Sequence, residues 1–151
     1  MLAASATATA PQLSLEDADR LRLAIARLQR RMRLQANAGI TPSQLAVLGT
    51  LNRLGPLTLG ELAAAESVAP PSMTRTAVAL EEKELVERKV VSDDRRSVRL
   101  RLTPRARRLM QTIRAQRTAW IAERVAELEA SDVRALERGI AALERLAESR
   151  E

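Results

Sequence analysis

Arginine side chains supply most of the chemistry available to this sequence. Of its 25 basic residues, 23 are Arg, and only Lys83 and Lys89 are Lys. The planar guanidinium carries a fork of donors that suits phosphate oxygens and the edge of guanine. A GC-rich genome would give the same bias without any function, so the positions of the charges are more informative. Residues 70–124 carry 14 basic and 7 acidic groups, whereas residues 125–151 carry 4 and 7. A basic zone in mid-chain indicates a polyanionic partner, because neutralised phosphates release counterions.

The residue types that are absent exclude several classes of function. The sequence has no His and no Cys, which removes the usual zinc sites, thiol nucleophiles and His-based catalytic arrangements. Asp93 and Asp94 are adjacent on a predicted turn and give no general-acid geometry. We therefore expect no catalytic residue, no metal and no cofactor. Trp120 is the only aromatic residue, which favours duplex over single-stranded nucleic acid, since single strands are bound by stacking on aromatic rings.

A helix-turn-helix is predicted at the start of the basic zone. Thr58 would cap a short helix, residues 67–69 would form a turn, and Pro70 would start a second helix. The apolar period of this second helix buries Met73, Ala77 and Leu80. The same period exposes Ser72, Arg75, Thr76 and Ala79, with Thr74 at the margin. Arg75 is therefore expected to be available to a groove.

A β-hairpin with a basic tip is predicted next. Val98, Leu100 and Leu102 alternate with Arg99 and Arg101, which indicates a half-buried strand, and residues 85–91 form its antiparallel partner. The segment between them, residues 92–97, is too polar for any core. Strand arginines often serve solubility alone, so both functions remain open for Arg99 and Arg101.

Long amphipathic helices are predicted at both ends of the chain. One begins with Ser14 as N-cap, one follows Thr103, and a last one is capped by Ser131 or Asp132. Their apolar stripes exceed what one small domain covers, which predicts a dimer. The expected fold is mainly α with a small β-hairpin wing (α+β), a winged helix-turn-helix over residues 41–103. Dimerisation helices over 14–40 and 104–151 frame it in a single domain, 14–151, after a disordered tail, 1–13. With no apolar span and no secretory signal, we expect a cytoplasmic protein and no membrane partner.

Five segments, taken in order, form a recognisable pattern. They are residues 57–63 (LTLGELA), 70–80, 85–88 (LVER), 94–97 (DRRS) and 102–104 (LTP). Over about residues 15–147 the chain resembles the MarR family of bacterial transcriptional regulators, most specifically in the LVER strand and the DRRS loop. The resemblance implies a homodimer that places two recognition helices in the major groove of double-stranded DNA and two wings in the minor groove. It further implies a ligand-responsive regulator, most often a repressor, at a pseudo-palindromic operator.

The resemblance also implies roles for individual residues. Recognition-helix contacts to bases and phosphates would come from Ser72, Thr74, Arg75 and Thr76. In the wing, Arg96 would enter the minor groove, Asp94 would orient it and Arg95 would contact a phosphate, and Arg99 completes the predicted set. These wing roles are physically reasonable, since a narrow minor groove attracts a guanidinium and a nearby carboxylate can hold its direction.

Two further expectations concern the effector and the departures from the family pattern. A small phenolic or lipophilic anion would bind where the dimerisation helices meet the winged domain. The candidate lining residues are Leu21, Ile25, Leu45, Leu48 and Leu109, although core packing explains each of them more readily. Glu84 stands where the family usually has a glycine in a left-handed turn, so a different turn is expected there. Val78 and Ala79 replace polar residues, which suggests fewer base contacts and more reading of DNA shape.

Two other classes of function remain possible at this point. An architectural DNA-binding protein would coat duplex with little preference for sequence, so its ratio of specific to non-specific affinity would be near one. A helical adaptor would bind proteins and would keep that activity without Arg75 and Arg96.

Overall fold

The described part of the chain is mainly helical, with one antiparallel hairpin. The computed structural model describes residues 12–35, 39–90 and 98–148. In order, the elements are α1 (Leu15–Gln35), α2 (Pro42–Leu54), α3 (Leu59–Ala65), α4 (Pro70–Glu82), β1 (Val86–Val90), β2 (Val98–Leu102), α5 (Pro104–Ala126) and α6 (Ala130–Glu148). The predicted α+β fold class is confirmed. Most of the predicted tail, residues 1–13, lies outside the described residues.

Threonine caps fix the starts of α2, α3 and α5. The hydroxyls of Thr41, Thr58 and Thr103 each accept a hydrogen bond from the backbone N–H three residues later, at 3.1–3.2 Å. The side chains of Gln44 and Glu61 in turn accept a hydrogen bond from the backbone N–H of the capping threonine, which satisfies a second donor at the start of α2 and α3. These caps set the register of the winged region from local sequence alone.

The N-cap predictions for the outer helices have different outcomes. Ser14 caps α1, since its Oγ accepts from the N–H of Asp17 at 3.0 Å. The prediction for α6 is wrong, because this helix begins at Ala130, so Ser131 and Asp132 lie in its first turn. The negative charge of Asp132 interacts favourably there with the positive end of the helix dipole, which explains why Asp is common in the first turn of a helix as well as at the N-cap.

One apolar core joins α2, α3, α4, the hairpin and the start of α5. Its most buried large side chains are Leu48, Leu62, Met73, Leu80 and Leu100. The hairpin pairs Val86 with Leu102 and Val90 with Val98. Leu57 adds a bridge to Leu100, with N–H to O distances of 3.1 and 2.7 Å. The wing is therefore fixed at its base to the helix-turn-helix.

In two tight turns of this region, a residue other than glycine has left-handed backbone angles. Ser67 has φ 52° and follows α3, and Glu84 has φ 56° and follows α4. After α4 the N–H of Leu85 donates to Leu80 O at 2.9 Å and that of Glu84 to Glu81 O at 2.8 Å. This is the Schellman pattern, which usually takes glycine. The prediction of a different turn at Glu84 is therefore wrong, because the buried Leu80 and Leu85 hold the usual geometry although Glu84 carries a side chain.

The outer helices contrast with this core. None of residues 15–35 or 130–148, all of which the structure describes, is buried. α1 packs on α5, where Ile113 and Trp120 are buried. Trp120 is thus a packing residue, with the Arg124 guanidinium 5.5 Å from its ring centroid. Among the described helices, none is long and apolar enough to cross a membrane.

Candidate nucleic-acid interface

The outward side of α4 is a line of four exposed residues. Pro71, Arg75, Val78 and Glu82 follow one another at intervals of four, three and four, and all are exposed. This spacing keeps them on one helix face, opposite the buried Met73, Ala77 and Leu80. We call these four residues the α4 ridge. It carries a cation in its first half and an anion at its end, which suits entry into a groove by the N-terminal half.

The four predicted contact residues of α4 differ in accessibility. Arg75 and Thr74 are exposed, whereas Ser72 and Thr76 are half-buried beside the ridge. The Arg75 Nη2 donates to Ser72 Oγ at 3.3 Å. The hydroxyls of Thr74 and Thr76 donate to Pro70 O and Ser72 O, both at 3.0 Å. The helical period correctly predicted that Arg75 is exposed, but it did not predict the exposure of Val78, which is 42% exposed. From the sequence, Val78 was noted only as an apolar residue in place of a polar one.

Buried and paired groups behind α4 fix its orientation. Glu66, at the end of α3, accepts a hydrogen bond from the buried Thr50 hydroxyl of α2, and Thr50 also accepts from Arg53 Nη2 at 3.4 Å, so the turn before α4 is joined to α2. At the other end, Arg88 of β1 forms a two-bond pair with Glu81, at 2.7 and 3.2 Å. That hydrogen bonding raises the pKa of Arg88 above its ordinary value. α4 is therefore held by its buried residues in the core and, in its last turn, by the pair with Arg88.

Lys83 links the end of α4 to the connection between α1 and α2. Its Nζ donates to the backbone oxygen of Gly39 and lies 3.4 Å from Gln44 Oε1. Gln44 is itself part of the α2 cap. The C-terminal end of α4 is thus joined to the segment by which α1 leads into the winged domain.

Arg99 forms contacts with other residues of the same chain. Its Nη1 donates to the carbonyl of Pro56 at 3.0 Å and its Nη2 lies 3.5 Å from Glu61 Oε1. Hydrogen bonds from the backbone and hydroxyl of Thr58, and then the charge of Arg99, lower the pKa of the Glu61 carboxyl. Arg99 therefore ties β2 to the start of α3. Its predicted contact with DNA stays a prediction.

The predicted contacts Asp94, Arg95 and Arg96 lie outside the described residues. At the base of the wing, Arg101 pairs with Glu87 across the strands at 2.7 Å.

Two cavities lie beside α5, one where α1, α2 and α5 meet and the other between α2 and α5. One, of about 440 Å³, is lined by Arg30, Arg33 and Arg117 together with Leu45 and residues at the start of α2. The other, of about 560 Å³, shares Leu45 and Arg117. The Arg117 Nε is buried and has no hydrogen-bond partner among the described residues. This junction combines apolar walls with cationic groups.

The predicted effector residues do not gather in one place. Leu45 lines both junction cavities, whereas Leu48 is fully buried in the core and Leu109 lines a separate cavity beside Lys83. Leu21 is half-buried and Ile25 exposed on α1. The predicted lining residues are all apolar and do not include Arg30, Arg33 and Arg117, which line the first cavity. The three-residue spacing of the first two, which places both on one side of α1, could have indicated them.

The order of these elements defines a winged helix-turn-helix protein: the short helix α3, a tight turn, α4 with its exposed ridge, and the hairpin of β1 and β2. Comparison with known proteins makes the assignment narrower. Residues 40–98 match the model described as the MarR family. An HTH-type transcriptional regulator of Mycobacterium bovis is 37% identical over 113 residues, covering 74% of this chain and 79% of that protein. A solved structure from Pseudomonas aeruginosa, described as a transcriptional regulator protein, has 34% identity and a TM-score of 0.78, covering 90% of this chain and 97% of that one. The HTH-type transcriptional repressor MdtR of Bacillus subtilis is 42% identical over 65 residues, 43% of this chain and 42% of MdtR.

The chain belongs to the MarR family. It is a DNA-binding transcriptional regulator of that type, as the sequence pattern predicted.

Proposed function

We propose that the protein is a cytoplasmic, homodimeric, ligand-responsive repressor that binds a pseudo-palindromic operator in double-stranded DNA. The observation that carries the proposal is Arg75, exposed on a helix whose opposite face is buried in the core and whose last turn is paired with Arg88. The similar protein MdtR of Bacillus subtilis is a transcriptional repressor, which supports the sign of regulation. In this proposal Ser72, Thr74, Arg75 and Thr76 contact bases and phosphates, Arg95 contacts a phosphate, and Arg96 enters the minor groove with Asp94 orienting it. The salt dependence of DNA binding decides whether Arg99 also contacts DNA.

The outer helices support a dimer. On α6, Leu136, Ile140 and Leu143 are 46%, 53% and 42% exposed and recur at intervals of four and three. That spacing forms one apolar stripe, which a second copy of the chain would cover. Two α4 helices related by a two-fold axis would then reach half-sites about one helical turn, roughly 10 bp, apart.

The dimer is tested by a charge in this stripe. Ile140→Glu should shift the protein to a monomer in sedimentation velocity and abolish binding to the operator. Ala142→Glu is the matched control, because Ala142 is exposed on a different face of α6 and its variant should stay dimeric. A wild-type protein that sediments as a monomer at micromolar concentration would refute the dimer.

Sequence specificity is tested by selection from a random duplex library. We expect the selected duplex to bind at least about a thousandfold more tightly than a scrambled one at physiological salt. A ratio near one would instead establish an architectural DNA-binding protein. Arg75→Ala should weaken binding to the selected duplex by about 1–3 kcal/mol, whereas Arg138→Ala on α6 should not change it.

The junction cavities support an effector with an apolar body and a negative charge. The apolar part of such a ligand would pack against Leu45, and its negatively charged group would accept a hydrogen bond from Arg117, whose Nε has no partner among the described residues. It would change DNA affinity only by binding the DNA-competent and free conformations with different affinities. This mechanism fits a site lying between the outer helices and the winged domain.

The effector is tested with 2-hydroxybenzoate and related phenolic acids as probes. They should weaken operator binding by wild type, and operator DNA should weaken their binding by the same factor. Arg117→Met should lose the response while keeping operator affinity, and Arg138→Met should keep both. Binding of the acids with no effect on DNA affinity would refute a regulatory role for the site.

A further inference from the structure

Val78 is an unusual residue for the outward face of a DNA-reading helix. It is 42% exposed, and it lies on the α4 ridge directly between Arg75 and Glu82. Its isopropyl group can neither donate nor accept a hydrogen bond. A side chain here that served only solubility would be polar, as the two ridge residues on either side of it are.

The major groove offers one apolar group that such a side chain can recognise. Among the four bases, thymine alone carries a methyl group, at C5, and it projects into this groove. We propose that Val78 reads the C5 methyl of a thymine in each half-site, and so determines specificity without a hydrogen bond. The proposal rests on the proposed binding of duplex by α4.

The geometry of α4 favours this contact. The acidic Glu82 ends the ridge, so phosphate repulsion keeps the C-terminal turn of α4 away from the groove walls and leaves residues 70–78, about two and a half turns, to enter. Val78 is the last uncharged residue of the ridge before that point. In a helix, valine strongly prefers one rotamer, so its two methyls are ordered before DNA binds and little entropy is lost.

The position of the thymine can be estimated from helix dimensions. Three residues of α-helix advance about 4.5 Å, and successive base pairs are about 3.4 Å apart along each strand. The thymine should therefore lie one or two base pairs from the base that Arg75 contacts. Helical side chains lean toward the N-terminus, which brings the Val78 methyls toward the turn that carries Arg75.

The experiment replaces thymine by deoxyuracil, which lacks only the C5 methyl. The probe is the tightest duplex selected from a random library, with each thymine replaced in turn by deoxyuracil at symmetric positions of the half-sites. Binding is measured for the full-length wild type, Val78→Ala and Val68→Ala. Val68 is the matched control, because it is 41% exposed but lies in the turn before α4. Alanine at 78 suits an exposed helix position, so the variant should fold.

We expect one symmetric pair of substitutions to weaken wild-type binding by about fourfold for each methyl removed. Val78→Ala should bind the thymine and deoxyuracil duplexes equally, and Val68→Ala should keep the wild-type ratio. Wild-type binding that is insensitive to every substitution would overturn the proposal. It would also be overturned if Val78→Ala kept the ratio, or if Val68→Ala lost it. Failure to bind any duplex would instead refute the proposed function itself.

Discussion

Replacing Arg99 decides whether this residue supports the wing or touches DNA. Its guanidinium donates to Pro56 O at 3.0 Å, and its side chain is 33% exposed. Arg99→Ala removes this charge-assisted hydrogen bond and leaves the carbonyl without that donor. A bond from a charged group contributes about 1.5–3 kcal/mol, and partial exposure reduces this. We therefore expect the free energy of unfolding to fall by about 1–2 kcal/mol.

The matched control is Arg101→Ala, two residues further along β2. Within the described residues Arg101 pairs only with Glu87, and both side chains are more than 40% exposed. Exposed pairs contribute between zero and about 1 kcal/mol, so this variant should lose less stability than Arg99→Ala. Arg99→Lys should recover part of the loss, because one ammonium cannot reproduce the geometry of a guanidinium. Urea unfolding at a fixed protein concentration measures all three differences.

DNA binding then separates the two roles of Arg99. A phosphate contact that is lost lowers the slope of log affinity against log salt by about one unit. If Arg99 acts inside the protein, Arg99→Ala should leave this slope unchanged, and its affinity should fall only through a less rigid wing. An Arg99→Ala protein of wild-type stability with a reduced salt slope would refute the internal role and restore the contact predicted from the sequence.

Three further substitutions test the contacts that hold α4 and α3. Glu84→Gly should raise the free energy of unfolding by about 0.5–1 kcal/mol in urea unfolding, since glycine removes the left-handed strain at φ 56° while only the exposed pair with Arg105 is lost. Equal or lower stability would contradict this strain. Glu61 has a folded pKa below the ordinary 4.5, so its ionised form adds stability that is present above that pH and lost as the pH falls through the folded pKa. The difference between wild type and Glu61→Gln in urea unfolding should therefore be largest near pH 7 and vanish in acid, and a constant difference would refute the assignment. Lys83→Met should lower the free energy of unfolding by about 1 kcal/mol, and thermal melts showing no change would mean that the bond to the α1–α2 connection contributes nothing.

Local sequence rules predicted the helix-turn-helix and the hairpin because each rule acts over three or four residues. The caps at Thr41, Thr58 and Thr103 and the alternation at Val98 to Leu102 are all of this kind. The turn at Glu84 escaped them because its geometry is enforced by two buried leucines rather than by its own residue type. Tertiary packing thus overrode a local preference of roughly 1 kcal/mol.

The candidate site was predicted less completely than the fold. Helical periodicity correctly predicted that Arg75 is exposed, but Val78, on the same ridge, was not predicted as a contact because its side chain is apolar. The internal role of Arg99 depends on Pro56, which is 43 residues away in sequence. No pattern within β2 could reveal that partner, because it is set by the bridge between Leu100 of β2 and Leu57, the residue after Pro56.

The exposure of α1 and α6 has a consequence for how the proposed regulator would work. Their apolar stripes have no buried residue in one copy of the chain, so their order would depend on the second copy. The distance between the two α4 helices would then be a property of the dimer, although each α4 is fixed firmly within its own winged domain. The cavities at Arg117 lie between these two parts, where a small ligand meets the junction rather than the rigid core. Such a ligand needs only to tilt one part against the other, which costs far less than deforming a packed core.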